Sequence, residues 1–587
     1  MNFHDEYDTG MEDKFRLPFY KQGIPTSPQT PNQIQELSKA MNMGVKNVEI
    51  GTISPDVFET IPIQHFEEMR RLAKLSGAKT SLHAPIIDAA GFTQQGWSEQ
   101  TRRQSEKHIN SVLDRAYKLD PEGNIPVTMH STGAMIPGDR YKRNKDGEMI
   151  KESILAVNRE TGKLIDLNRK EKNSFFGGKE SKSWGPKEQL ESINAVEWDD
   201  KKLDLASSYN NLFYLDQELN NAMSEEYLTL KAKESMGIKS GIKNLNEDEK
   251  NKLERLNHNV KSVANRQRLY GEEIMKKVEN MYDIFIKNKP HSTSSPKEKE
   301  QYQNDLTKLK KMKQEISHEE GMLDQQGLFQ KMSEIKAPKT WVTSEEFNKE
   351  KTSDTISSNA LYAYGKYGDK APVISLENVY GDVVSSRADT LKSLIKEGRE
   401  KFANKLVDTK GMDKKSAKQV AERLIGATWD LGHINLLRKQ GFTEKEIIKE
   451  AKKIAPVVKH VHITDNFGFS DSHLAPGMGN VPIKEQLKEI SKEAKDVRHI
   501  IEAGAYAGQF KDNPVPHTLE SMNSPIYQYE AGPSWGNVRD VYGSYMNMGD
   551  ILPNRYFSEF GTSFARLPKE LGGQLWNEKS KFSGTPN

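Results

Sequence analysis

The sequence predicts a (β/α)8 TIM barrel with a large, mainly helical insertion after strand 4 and a C-terminal extension. Three observations predict it. Short apolar runs alternate with amphipathic helices before residue 134 and again after 353, the pattern of a parallel α/β sheet. Five of those runs end in His or Glu, namely SLHAP (His83), VTMHS (His130), ISLEN (Glu377), HVHITD (His462) and IIEAG (Glu502). A barrel of parallel strands carries its chemistry at the C-terminal ends of those strands. Between the two stretches the alternation stops for more than two hundred residues, which marks an insertion.

The elements follow in order. The first strand falls in FRLPFYKQGIP, on the weakest pattern of the eight. Ile34, Leu37 and Met41 share one helical face, and VKNVEI is the next strand. An amphipathic helix over 57–76 leads to KTSLHAP, and a helix over 98–119, with Ile109, Leu113 and Ala116 on one face, leads to IPVTMHS. After the insertion come a helix around Leu361, the strand APVISLEN, helices at 385–404 and 413–424, and GATWD. A helix at 443–453, VVKHVHIT, a helix at 483–494 and VRHIIEAG complete the count.

Within the insertion, RYKRNKDGEMIKESILAVNRETGKLIDL reads as a hairpin turning near Glu160-Thr161-Gly162. Leu253, Leu256, Val260, Val263, Tyr270, Ile274, Val278, Met281 and Phe285 form one helical stripe, and Leu306, Leu309, Met312 and Ile316 a second. KPHSTSSP joins them, so a helical hairpin is expected, its stripes packed on one another and its charges solvated. The expected division is barrel 1–134, insertion 135–352, barrel 353–515 and an extension over 516–587 that packs on the barrel. The insertion leaves close to His130 and so should rise from the catalytic face, as lid, clamp or docking arm for a protein partner.

Composition narrows the function. The chain has 587 residues, 35% hydrophobic and 29% charged, and a mean hydropathy of −0.79, so part of it is expected to be solvated helix. A net charge of +2 gives no global signature for nucleic acid. There is no cysteine, which excludes disulfides and thiolate ligands. Metal ligands must then be imidazole and carboxylate, which suit zinc, manganese or iron. The start, MNFHDEYDTGMED, is acidic and lacks an apolar core, and no apolar run is long enough to span a bilayer. The expectation is a soluble, cytoplasmic protein.

Two further sets extend the strand-end residues: WDLGH (Asp430, His433) and FSDSH (Asp471, His473). Five His, two Asp and two Glu in this arrangement point to a cluster of divalent metals, since carboxylates bridge closely spaced dications and imidazoles complete their shells. A single His at a strand end is more often structural; nine residues in register are not. His108, His258, His318, His499 and His517 fall on helices, strand starts or loops and read as surface residues. His460 is expected to face the helices. Glu49 either lines the pocket or forms an ion pair. Asp465 and Asn378 are candidates to orient an imidazole.

On these residues the chain resembles the xylose isomerase-like TIM-barrel superfamily, and within it the endonuclease IV group (AP endonuclease family 2), over roughly 30–134 and 355–510. The Asp-x-x-His of WDLGH and the Asp-x-His of SDSH are its most specific motifs, and GMGN after His473 matches the family's Gly-x-Gly-Asn turn. The resemblance implies up to three zinc ions. His83 and His130 would bind one, with Glu377 bridging to a second completed by Asp430, His462 and Glu502. His433, Asp471 and His473 would hold the third. Glu377, Glu502 and Asp430 would be the catalytic residues, and the activity would be cleavage of DNA on the 5′ side of abasic sites. Manganese is an alternative metal.

Two alternatives stand beside this. A sugar isomerase or epimerase of the same superfamily would use one metal on Glu377, Asp430, His462 and Glu502, with the two glutamates as acid and base on a small sugar substrate. The epimerases place an Arg six residues after the strand-seven His, where this chain has Gly468. His433, Asp471 and His473 would be idle in such an enzyme. The third reading is a non-catalytic scaffold whose helical insertion binds a partner.

Overall fold

The computed structural model describes residues 21–522, except 29, 44, 52–53, 94, 173–181, 241–244, 291–295, 318–330, 495–496 and 505–513. Eight parallel strands close into a barrel: β1 (Gln22–Pro25), β2 (Asn47–Gly51), β3 (Lys79–His83), β4 (Pro126–His130), β5 (Val373–Glu377), β6 (Ile425–Asp430), β7 (Val458–Ile463) and β8 (Arg498–Ile501). They pair in chain order, and β8 pairs with β1 to close the ring. The first strand is the last part of the segment expected to hold it, QGIP. A helix follows each strand before the next, as Gln33–Asn42, Ile63–Ser76, Glu99–Leu119, Ser344–Tyr367, Ala388–Lys410, Glu444–Ile454 and Ile483–Ser491. Pro514–Ser521 follows β8.

The strands that read as apolar runs are in fact alternating. In β5, Ile374 and Leu376 belong to the shell between strands and helices, while Ser375 and Glu377 share the opposite face. In β6, Ile425, Ala427 and Trp429 face the helices and Thr428 and Asp430 the interior; in β7, Val461 and Ile463 do so. The helices meet that shell with Leu37, Phe66, Met69, Leu113, Leu394, Phe402 and Ile447, all buried. Each such side chain contributes roughly 1.5–3 kcal/mol by leaving water.

That alternation corrects one expectation. His460 and His462 are two residues apart on one strand, so they share a face. Both are fully buried and both approach Glu49 of β2 across the barrel, so His460 does not face the helices. His499 is also not a surface residue. It is half-buried on β8 with ring Nδ1 buried and unpartnered, and burial lowers its pKa to about 3. His108, His258 and His517 are exposed, and His318 lies outside the described residues.

The chain divides into two compact units. The barrel unit takes the described residues up to Val157, Gly162–Arg169 and those from Thr343 onward. It includes an antiparallel meander of Arg140–Arg143, Met149–Asn158 (all but its last residue) and Leu164–Asn168. The expected hairpin is its second half, turning through Gly162 at φ +68°, a left-handed conformation that favours glycine. The helix Ser344–Tyr367 belongs to this unit and is capped by Thr343, whose Oγ1 accepts from Glu346 N at 3.1 Å.

The second unit, Asn158–Thr161 and Lys170–Val342, holds helices Pro186–Ala222, Glu225–Ser240, Glu247–Lys287 and Pro296–Ser317. Its core joins Ile274, Val278, Met281 and Phe285 to Leu309 and Met312, as the two stripes predict. Trp198, Leu205, Tyr209 and Leu212 of the 37-residue first helix complete it. Most of KPHSTSSP and all but the start of the C-terminal extension lie outside the described residues. Among the described residues, no helix is long and apolar enough to cross a membrane.

Candidate metal centre

All nine sequence-predicted ligands come together at the C-terminal ends of the strands and in the loops that follow. Among the described residues, five groups have donor atoms within 4.8 Å of one another. Three follow the predicted division: His83, His130 and Glu377; Glu377, Asp430, His462 and Glu502; and His433, Asp471 and His473. The other two are His83, His462 and Glu502, and Glu49, His460 and His462. Glu377 is fully buried and joins the first two. Its Oε2 lies 3.2 Å from His83 Nε2 and 3.6 Å from His130 Nε2, and its Oε1 lies 2.7 Å from His462 Nδ1. Glu502 Oε2 is 3.1 Å from that same Nδ1. In the third group, Asp471 Oδ2 lies 3.3 Å from His433 Nε2 and 2.7 Å from His473 Nε2.

Backbone carbonyls aim most of the imidazoles. His83 Nδ1 meets Ala84 O at 2.9 Å, His433 Nδ1 meets Asn378 O at 2.9 Å, and His473 Nδ1 meets Glu502 O at 3.0 Å. Each contact directs Nε2 toward the carboxylates, the arrangement that fixes a ligand's tautomer. Asn378 therefore orients His433, but through its main chain. Its side chain clasps Asp430, accepting from Asp430 N at 2.8 Å and donating to Asp430 O at 2.9 Å.

Asp465 has a different role from the one expected. Its carboxylate accepts from the backbone N of Gly477, Gly479 and Val481 at 2.8, 2.9 and 3.1 Å, so it holds the GMGN turn rather than an imidazole. Gly432, next to Asp430, has no room for a side chain: a Cβ there would sit 2.0 Å from Thr464 Oγ1, the hydroxyl that donates to Asp430 Oδ1. His473 is held at φ +41°, a strained backbone for a non-glycine residue, which is characteristic of functional positions.

One organising residue was missed by the sequence reading. Asp88 fastens the loop after β3 to the loop after β4. It accepts from Gly91 N and Phe92 N at 2.9 Å, and from Thr132 Oγ1, Gly133 N and Ala134 N at 2.7, 3.1 and 3.0 Å. An aspartate in IIDAAGF carries no local signal, because its partners are brought by β4. Asp88→Ala is expected to destabilise the fold by about 3 kcal/mol in urea unfolding, since it leaves several donors without a charged acceptor. An unchanged midpoint would remove Asp88 from this role.

The donor set fits divalent metal. Asp430 Oδ2, Asp471 Oδ1 and His130 Nδ1 are buried without a hydrogen-bond partner, and such orphans are uncommon in proteins. In the metal-free protein, protons stand in for cations. Burial works against a charged His83, but its hydrogen bond to Glu377 and the charge of that carboxylate raise it to about 9. Burial likewise opposes charge on His473, yet Asp471 and Glu502 raise it to about 9. His433 and His462 are raised well above the usual imidazole value, against burial, by their carboxylate neighbours. Burial pushes Glu377 up, but His462 and His83 hold it well below the usual carboxylate range. His130 is the exception, as burial lowers it to about 4.

No family model matches this chain. It is similar to the uncharacterized protein MJ1311 of Methanocaldococcus jannaschii, with 32% identity over 122 residues, 19% of this chain and 38% of that relative. The chain thus spans well under half the length of the curated relative it matches. Among solved structures it is similar to one described as the crystal structure of a D-tagatose 3-epimerase-like protein, with 11% identity, a TM-score of 0.35, and coverage of 86% of this chain and 98% of that one. The fold is read from the strands themselves: a closed, parallel (β/α)8 barrel that gathers nine His, Asp and Glu side chains able to bind metal at one end.

Proposed function

We propose that this chain is a metal-dependent phosphodiesterase, with DNA carrying an abasic site as its substrate. The observation that carries the reading is the third group. His433, Asp471 and His473 stand assembled beside the Glu377, Asp430, His462 and Glu502 group, and a single-metal enzyme has no use for them. Dications held by these residues would supply water activation and charge neutralisation at a phosphate, the two needs of phosphodiester hydrolysis. Zinc suits the donors best, and manganese is also compatible. The protein's own part is to favour the ionised forms of Glu377, Glu502 and Asp471, while burial pushes Asp430 up, to aim the imidazoles, and to present them at the mouth of the barrel. Glu377, Glu502 and Asp430 are the residues to which this reading assigns the catalytic roles.

A second reading is a metal-dependent sugar isomerase or epimerase. What favours it is that Glu377, Asp430, His462 and Glu502 form a complete mononuclear set by themselves. Glu377 and Glu502 flank His462 Nδ1 at 2.7 and 3.1 Å and would act as the acid/base pair.

The test is incision of a labelled duplex with one abasic site, with zinc or manganese, beside His473→Ala. Metal-dependent cutting 5′ to the lesion, lost in the variant, is the expected result. Absence of incision by metal-loaded protein, with conversion of a ketose or aldose that survives His473→Ala, would move the assignment to the second reading.

A further inference from the structure

Below the ligands, the barrel interior is polar where such barrels are normally filled by Val, Ile and Leu. Glu49 of β2 sits at its centre. It is 1% exposed. Its Oε1 meets His460 Nε2 at 3.1 Å in a hydrogen bond, and its Oε2 lies 2.8 Å from His462 Nε2, close enough for an ion pair but not aligned for a hydrogen bond. Thr128 Oγ1 donates to Glu49 at 3.4 Å and meets Thr428 Oγ1 at 3.0 Å. Strands 2, 4, 6 and 7 are thereby joined across the barrel by side chains alone.

Among the described residues, no lysine or arginine lies within ion-pair distance of Glu49, though Arg498 feels its charge from further off; its ionisable contacts are the two imidazoles. Burying a carboxylate without a strong base is expensive, and an apolar floor would be more stable. The position has a consequence for the centre above. His462 differs from His83, His433 and His473, whose Nδ1 atoms are held by main-chain carbonyls. His462 instead turns Nδ1 toward Glu377 Oε1 and Glu502 Oε2, and the group at its other nitrogen is a carboxylate.

We propose that Glu49 is a positioning residue for the metal centre. Its carboxylate, held from behind by His460 and Thr128, places negative charge at His462 Nε2 and so favours the ring orientation in which Nδ1 faces Glu377 and Glu502. A carboxylate behind a ligating imidazole also makes that imidazole a stronger donor. The inference rests on reading the nine-residue constellation as a metal centre.

The experiment uses the full chain and cobalt(II) as the probe, comparing wild type with Glu49→Gln. The readouts are ions retained after dialysis, the visible cobalt spectrum, and the 15N shifts of the histidine rings. Glu49→Gln is isosteric, so the barrel is expected to fold. Affinity at the group containing His462 should fall about 10–100-fold, with a changed spectrum, while the ion on His433, Asp471 and His473 is kept. His460→Gln, which removes only the support behind Glu49, should produce a smaller loss of the same kind. Wild-type affinity and spectrum in Glu49→Gln, even with lowered thermal stability, would overturn the proposal and leave Glu49 a structural residue. Wild-type protein that binds no cobalt would instead overturn the metal-centre reading on which it rests.

Discussion

Glu377→Gln is expected to empty two of the three donor groups at once. One carboxylate serves both: Oε2 faces His83 and His130, and Oε1 faces His462. An amide is a far weaker metal donor and cannot bridge two dications. Affinity at both positions should drop by more than the roughly 100-fold that outer partners of a ligand contribute, and activity should fall to background. The third group shares no atom with Glu377, so one ion per chain should remain. Counting bound metal by mass spectrometry after dialysis checks this, and full stoichiometry in the variant would exclude Glu377 as the bridge. The variant should also be less stable than wild type in chelator. Two raised imidazoles lose their counter-charge, and breaking a buried ionic set by removing one partner costs about 3–5 kcal/mol.

Removing metal should reverse the sign of the protein's pH dependence above neutrality. His83 and His473 both sit at about 9 in the metal-free cluster, against 6.5 when unperturbed. A group whose folded pKa is raised contributes stability that is full below its unfolded pKa and is lost as pH rises through the folded one. The window is therefore pH 6.5 to about 9, and each histidine contributes about 3 kcal/mol that disappears across it. On the acid side His130, lowered to about 4, acts the other way, and stability is lost as pH falls from 6.5 through that value. Metal-loaded protein should behave oppositely above 6.5, because dications bind neutral imidazoles and so bind more tightly as protons leave. Thermal melts at pH 6.5 and pH 9, with and without chelator, make the comparison. Parallel trends in the two states would show that these histidines are not ligands.

The strand-end histidines and glutamates were legible because each follows a run of residues with high strand preference, and because their chain order matches a ligand order. The two helical stripes of the second unit were legible for a related reason: a 3.6-residue period survives without knowledge of the partner surface. The first strand was nearly illegible, since QGIP contributes four residues, one of them proline. Its place is set by β8 and β2, which supply its hydrogen bonds from far along the chain. His460 was misread because it was taken to alternate in direction with His462, when two residues apart on a strand share a face and both lie inside.

By itself the sequence determined the alternation of elements, the apolar shell and the nine candidate His, Asp and Glu residues, because these depend on periodicity and on residue type. Only the tertiary structure decided which of these side chains share a group, which ring nitrogen each imidazole presents, that Asp88 fastens two of the loops, and that Glu49 lies against His460 and His462. Those outcomes depend on contacts between strands hundreds of residues apart, such as Glu49 with His460. Barrel closure creates such contacts, and no local pattern encodes them.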